Sequence, residues 1–222
     1  METRMFRDRR DAGIQLAEKL KQYKGDETAV VLALPRGGVV TGFEVAQALE
    51  APLDVLIVRK IGFPGQSEFA IGAVSETETV VLNRSIISTY GVEDEYIQGE
   101  IAKQKEEIER RIQLYRNGKR ILELEGRTII LVDDGVATGA TVKAAIAALR
   151  KERIKKLIAA MPVAPPETAD ELKGMVDEFI CLETPPDFMA VGGYYHDFKQ
   201  VPDTEVVEIL KKSVRLTTKE NE

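Results

Sequence analysis

TIILVDDGVATGAT, residues 128–141, is the stretch whose reading decides the fold. Its opening residues, Thr128, Ile129, Ile130, Leu131 and Val132, are apolar or β-branched without alternation, the pattern of a strand buried on both faces of a parallel sheet. Two carboxylates, Asp133 and Asp134, stand at the C-terminal end of that strand. A loop of small residues follows: Gly135, Val136, Ala137, Thr138, Gly139, Ala140 and Thr141. Beyond it Val142, Ala145, Ile146 and Leu149 recur at helical spacing. Strand, acidic pair, tight loop and helix together suit a phosphate ester. Free N–H groups at a helix start, with the positive end of the dipole behind them, attract a phosphate. Small side chains let the backbone come close, and Thr138 and Thr141 add hydroxyl donors. The carboxylates can accept from sugar hydroxyls, directly or through Mg²⁺. The plain alternative is a sheet-to-helix turn with an incidental acidic pair.

Two other phosphate loops are excluded. There is no Gly-x-x-x-x-Gly-Lys-Ser/Thr, and no Gly-x-Gly-x-x-Gly follows a strand. The stretch instead resembles the signature of type I phosphoribosyltransferases, a hydrophobic strand followed by acidic-acidic-x-x-x-Thr-Gly-x-Thr. The resemblance implies that Asp133 and Asp134 hold the ribose hydroxyls of phosphoribosyl pyrophosphate (PRPP), as catalytic residues and as Mg²⁺ ligands, directly or through water or ribose. It implies that the loop from Gly135 to Thr141 wraps the 5′-phosphate. Gly135 stands where that family usually has an apolar residue, and Ala140 where many members have a second glycine. Neither removes a phosphate ligand, because the backbone supplies those.

A chain of 222 residues with 44% hydrophobic and 31% charged residues fits one large globular domain, or one domain with an appendage, with a full core. No apolar run approaches the ~20 residues that span a membrane, and no apolar segment follows the charged residues 1–10, so no secretory leader is expected. The single cysteine, Cys181, precludes an internal disulfide and suits a reducing cytoplasm. With one histidine, His196, a Cys/His zinc site is not expected. A net charge of −6 argues against nucleic acid as the partner. An acidic protein with a polyanionic substrate needs local positive charge, which directs attention to cations at strand ends.

Along the chain, residues 6–23 read as an amphipathic helix through Ala12, Ile14, Leu16, Ala17 and Leu20. Residues 28–34 read as a strand and residues 39–49 as a helix, joined by Pro35, Arg36, Gly37 and Gly38. Alone this is an ordinary turn with an arginine. Beside the acidic pair, the resemblance makes it the pyrophosphate loop, with Arg36 catalytic, Pro35, Gly37 and Gly38 binding, and a cis peptide at Pro35–Arg36. Residues 53–58 read as a second strand closed by two cations, Arg59 and Lys60, placed where open α/β sheets bind ligands. Lys60 is expected to be catalytic and Arg59 to bind substrate. Residues 61–73 read as a mobile loop, 68–74 as a short strand and 79–82 as its hairpin partner. In the family this part of the chain is a flap that excludes water from the reacting centre.

Residues 92–115 read as a long helix with the stripe Ile97, Ile101, Ile108, Ile112 and Tyr115, and with Glu106/Arg110 and Glu107/Arg111 pairs. This arm lies on the body or forms a dimer contact, so a homodimer is expected, and residues 116–120 read as its solvated basic end. Then come a strand at 156–161, a loop at 162–166, a helix at 167–175, a strand at 178–182, an aromatic stretch at 188–198 and a tail helix at 203–210. The alternation gives an α/β fold: a doubly wound parallel sheet of the type I phosphoribosyltransferase kind in one domain, with a flap and a small C-terminal hood.

The expected activity is transfer of a phosphoribosyl group from PRPP to a nitrogenous base, with Mg²⁺ as cofactor, pyrophosphate as leaving group and the cytoplasm as location. The base is left open. Enzymes of the family that act on 6-oxopurines carry an acid at the position of Ala137, so hypoxanthine and guanine are disfavoured. Tyr194 and Tyr195 read as core or as a base-stacking platform. Two alternatives stand: a PRPP- or nucleotide-binding regulator without turnover, and a phosphatase, which would want further metal carboxylates. The acidic pair is expected to be exposed, so that Asp→Asn changes alter ligand binding more than stability.

Overall fold

The computed structural model describes residues 5–219. The chain runs α1 (Arg9–Leu20), β1 (Ala29–Ala33), α2 (Gly37–Leu49), β2 (Leu53–Val55), β3 (Val58–Phe63), β4 (Gln66–Ser75), β5 (Val80–Leu82), α3 (Arg84–Tyr90), α4 (Asp94–Arg116), β6 (Thr128–Val132), α5 (Ala140–Leu149), β7 (Lys156–Val163), α6 (Pro166–Lys173), β8 (Glu178–Glu183) and α7 (Asp203–Lys219). These elements fall into two compact units. The first holds the described residues through Val55, Ile121–Gly139 and those from Arg153 on; the second holds Leu56–Arg120 and Ala140–Glu152. Among the described residues no helix is long and apolar enough to cross a membrane.

The first unit is built on a parallel sheet in the order β2-β1-β6-β7-β8. Every residue of β1 and β6 is buried, the reason their sequences show no alternation. From β1 the order steps one way to β2 and the other way to β6, so the switch point of the sheet lies between β1 and β6. Open α/β sheets bind ligands outside the carboxyl ends of the strands at such a point. The turn at 35–38 leaves β1 there, and the acidic pair leaves β6 beside it. Leu34 N–H donates to the Val132 carbonyl at 2.9 Å and carries the pairing to the mouth of the crevice.

α1 starts at Asp8, whose carboxylate accepts from Asp11 N–H at 2.9 Å. Phe6, fully buried, precedes it and packs with Tyr194 and Tyr195. Ile14, read as part of the helix's apolar face, is instead half exposed. The loop expected at 162–166 is shorter, because β7 runs on through Pro162 and Val163. The tail helix reaches Lys219 rather than stopping near Leu210, and Val206, Ile209 and Leu210 bury one of its faces.

The second unit corrects the reading of residues 53–74. The apolar run 53–58 is two strands: β2 belongs to the parallel sheet, and β3 to a three-stranded antiparallel sheet β3-β4-β5. Arg59 and Lys60 therefore lie within an antiparallel strand and do not end a strand of the parallel sheet. The supposed loop 61–73 is the β3–β4 hairpin, turning at Gly65 with φ +75°. Ile61 and Ile71 from the hairpin share a core with Ile87 of α3 and Ile97 and Ile101 of α4. α4 also buries Gln104, Ile108 and Tyr115. Arg111 donates to Glu107 at 2.8 Å as the spacing predicts, and Arg110 donates to Glu107 as well. These bonds outweigh the desolvation that opposes them, and hold the Glu107 carboxyl down at about 2. Arg116, read as part of a solvated end, is a buried ion-pair partner of Glu76.

Candidate functional site

The site is two chain turns meeting at the switch point. After β1, Leu34 leads into a cis peptide at Pro35–Arg36, in agreement with the expectation for this bond. Arg36 is the N-cap of α2, without a side-chain capping bond, so Gly37 and Gly38 form the first turn of that helix. The Arg36 side chain is half-buried and has no hydrogen-bond or ion-pair partner among the described residues.

After β6, the two carboxylates press against that turn. A Cβ on Gly37 would stand 1.8 Å from Asp134 Oδ2, and one on Gly38 would stand 2.9 Å from both Asp133 Cα and Asp133 Oδ1. Each glycine thus faces one aspartate, and the close approach is possible only because both lack a side chain. The two motifs, read separately in the sequence, are one packed cluster.

Asp133 Oδ1 accepts from Asp134 N–H at 2.9 Å. Burial, then the neighbouring Asp134 carboxylate, push the Asp133 carboxyl well above its usual range. Hydroxyl donors or a cation placed at the pair would favour its charged form. Asp134 Oδ2 accepts from Arg9 Nε at 2.6 Å, with these side chains only 15% and 11% exposed. Asp134 is therefore not the exposed carboxylate expected from sequence. Its backbone carbonyl accepts from the Tyr195 hydroxyl. Burial, followed by the Asp134 carboxylate, raises the Tyr195 hydroxyl far above its normal range, so it is a permanent donor. Tyr195 packs on Phe6 and Phe198, and Tyr194 stacks on Phe188 at 5.5 Å. Both tyrosines are buried core, which removes them as a base-stacking platform.

The loop beyond the pair is fixed by the first unit. Gly135 takes φ +147° with Val191 Cγ1 2.5 Å from where a Cβ would stand, which accounts for glycine at a position where an apolar residue is usual. Val136 is buried and donates its N–H to the Val163 carbonyl at 2.9 Å. Thr168 Oγ1 donates to the Ala137 carbonyl at 2.8 Å, while Ala137 itself is exposed. Thr138 and Gly139, the latter at φ +75°, lead directly into α5, whose first residues are Ala140 and Thr141.

The donor set suits Mg²⁺. A hard cation that keeps waters and binds through one or two carboxylates plus substrate oxygens needs what Asp133 and Asp134 offer, not an all-protein cage. Among the described residues no group of three His, Cys, Asp or Glu forms such a cage. Of the other expected residues, Arg59 and Lys60 belong to the second unit, where Arg59 Nε donates to Gln104 Oε1 at 2.9 Å. His196 is exposed, and its backbone N–H donates to the Phe6 carbonyl at 2.9 Å. Arg9 was missed. Nothing in its local sequence marks a contact 125 residues away.

A family model described as phosphoribosyl transferase domain matches residues 7–199. The chain is 44% identical over 212 residues to the "Putative phosphoribosyl transferase" of Mycobacterium tuberculosis, covering 96% of this chain and 48% of that protein. It thus spans about half the length of the curated relative it matches. Among solved structures, the crystal structure of TT1426 from Thermus thermophilus is similar with a TM-score of 0.80 and 44% identity, covering 94% of this chain and 98% of that one.

Proposed function

Since the chain belongs to the phosphoribosyl transferase family, we propose that it transfers the phosphoribosyl group of PRPP to a nitrogenous base or related nucleophile and releases pyrophosphate. Its fold is the α/β fold of that family, built on a parallel sheet. The observation that carries the reading is the acidic pair packed against Gly37 and Gly38 at the switch point, with a cation, Arg36, at the same turn.

In this reading Asp133 and Asp134 accept from the two ribose hydroxyls and hold the ring. The loop from Gly135 to Thr141 and the start of α5 take the 5′-phosphate through backbone N–H groups and the Thr138 and Thr141 hydroxyls. Arg36, with the N–H groups of Gly37 and Gly38, holds the departing pyrophosphate. Mg²⁺, when bound at the pair with the substrate, supplies Lewis-acid stabilisation of the leaving group. Breaking the C1–O bond builds positive charge on the sugar and negative charge on pyrophosphate, so fixed charges matter more than a strong base. Removing one such contact costs on the order of 10²-fold in rate. In this reading the protein acts in nucleotide metabolism in the cytoplasm, as a homodimer, with the acceptor base open.

The test is pyrophosphate release from PRPP and Mg²⁺ with a panel of purine and pyrimidine bases. Release with at least one base supports the enzyme. Tight PRPP binding with no turnover would replace it by a PRPP-binding regulator, and orthophosphate release by a phosphatase.

A further inference from the structure

Asp134 is gripped at both of its polar ends by groups that lie outside the phosphate loop. Its carbonyl is held by the Tyr195 hydroxyl and its carboxylate Oδ2 by Arg9 Nε at 2.6 Å. Arg9 is itself immobilised: Nη1 donates to the Lys199 carbonyl at 2.8 Å, and the guanidinium lies 3.8 Å from the centroid of the Phe198 ring. Phe198 packs on Tyr195 with ring centroids 4.9 Å apart. The contacts close a ring from Asp134 through Tyr195, Phe198 and Arg9 back to Asp134.

This ring is tied to the backbone. Phe6 N–H donates to the Tyr194 carbonyl at 2.8 Å, His196 N–H to the Phe6 carbonyl at 2.9 Å, and Asp197 N–H to the Arg7 carbonyl at 2.9 Å. The segment that delivers Arg9 and the segment that delivers Phe198 and Tyr195 are therefore one braced piece. An arginine present only to balance charge would not need a second hydrogen bond, a ring beneath it and a braced backbone on either side.

The effect falls on which oxygens remain open. Arg9 occupies Asp134 Oδ2, and Asp134 N–H occupies Asp133 Oδ1. Among the described residues Asp134 Oδ1 and Asp133 Oδ2 accept from no N–H group and from no hydroxyl, and the two carboxyls lie within hydrogen-bond reach of each other. One open oxygen from each of two successive carboxylates matches a pair of adjacent hydroxyls. From this we infer that Arg9 is a positioning residue: it fixes the Asp134 carboxylate so that the acidic pair meets a vicinal diol of a pentose phosphate. The inference rests on the PRPP reading above and assigns to the N-terminal helix a part in ligand recognition.

The test is a double-mutant cycle on the full chain, titrating PRPP with Mg²⁺ by calorimetry for the wild type, Arg9→Met, Asp134→Asn and the double variant, with thermal unfolding recorded for each. Wild-type binding tests the PRPP-binding part of that reading independently of Arg9, and its absence overturns that reading and this inference together. Given binding, Arg9→Met is expected to weaken affinity ~10-fold, the usual scale for a partner that orients a ligating group. In the Asp134→Asn background the same change is expected to cost less than ~2-fold, because Arg9 acts through Asp134. Unchanged affinity in Arg9→Met, or the same loss in both backgrounds, overturns the inference. If Arg9→Met does not fold, Arg9→Lys takes its place in the cycle; it keeps the charge but cannot bridge Asp134 and the Lys199 carbonyl, so the same ~10-fold loss is expected.

Discussion

The two ends of the parallel sheet carry the same chemistry with opposite outcomes. At the N-terminal end, Lys156 at the start of β7 donates to Glu178 at 2.8 Å and to the Tyr23 hydroxyl at 2.6 Å, Tyr23 donates to Glu178, and Gln22 donates to Glu178 at 3.0 Å. That set closes on itself. Its hydrogen bonds, that to Glu178 first, raise the Lys156 ammonium, and they outweigh burial to leave the Glu178 carboxyl below its usual range. At the C-terminal end Arg9 pairs with Asp134, but each aspartate keeps an oxygen without an N–H donor and the Arg36 side chain has no partner among the described residues. A closed ion cluster does structural work, whereas an ion cluster left partly open at a switch point is what the PRPP reading requires of a binding site. The contrast predicts where ligand affinity and stability part company.

The largest effect belongs to the acidic pair. Asp133→Asn and Asp134→Asn should each weaken PRPP binding by about 10²-fold, read by calorimetry. They should differ in stability, since Asp134→Asn strands the nearly buried Arg9 guanidinium and is expected to cost about 3 kcal/mol in urea unfolding. Equal stability of the two variants would show that the Arg9 pair is idle.

Next comes Gly37→Ala. The new methyl overlaps Asp134 Oδ2, so the carboxylate or the first turn of α2 must move. About 1–3 kcal/mol of stability should be lost, together with roughly 10-fold in PRPP affinity. A Gly37→Ala protein that binds PRPP normally would detach the glycine pair from the site. Tyr195→Phe is milder, leaving the Asp134 carbonyl without its donor at a cost of about 1 kcal/mol in thermal unfolding.

The smallest change sharpens the comparison from the other end. Glu178→Gln should lower stability by under about 1 kcal/mol, because the pair is partly exposed, and should leave PRPP affinity unaltered. Its pH dependence has a definite sign. Glu178 titrates lower folded than unfolded, so its contribution is full above the unfolded carboxyl value near ~4.3 and fades as pH falls below it. Lys156 titrates higher folded, so its contribution is full below ~10.4 and fades as pH rises past that. Unfolding midpoints of wild type and Glu178→Gln should therefore converge below about pH 4. A gap that persists there would assign the loss to packing.

Legibility in the sequence followed the range of the interaction. β1, β6 and β7 announced themselves because burial on both faces leaves an unbroken apolar run, and the acidic pair stood out because it ends one. The parting of β2 from β3 was hidden, since Leu56 and Ile57 between them are fully buried and hydrophobicity does not say which sheet a strand joins. The placement of Arg59 and Lys60 at a strand end failed for that reason. α3 carried a local signal that was overlooked, Asn83 accepting from Ile86 N–H at 3.1 Å as its cap. Arg116 read as part of a solvated helix end and Arg9 drew no reading of its own, and each is an ion-pair partner of a carboxylate distant in sequence, Glu76 and Asp134. Periodicity reports what a residue does to its own element and is silent on such pairs.

The most direct test of the central claim is a crystal structure with PRPP and Mg²⁺ bound. The two ribose hydroxyls are expected within hydrogen-bond reach, about 2.6–3.0 Å, of Asp133 Oδ2 and Asp134 Oδ1, with Arg9 still on Asp134 Oδ2 and the 5′-phosphate on the loop from Gly135 to Thr141. A sugar bound away from the acidic pair, or Arg36 turned away from the pyrophosphate, would contradict the claim.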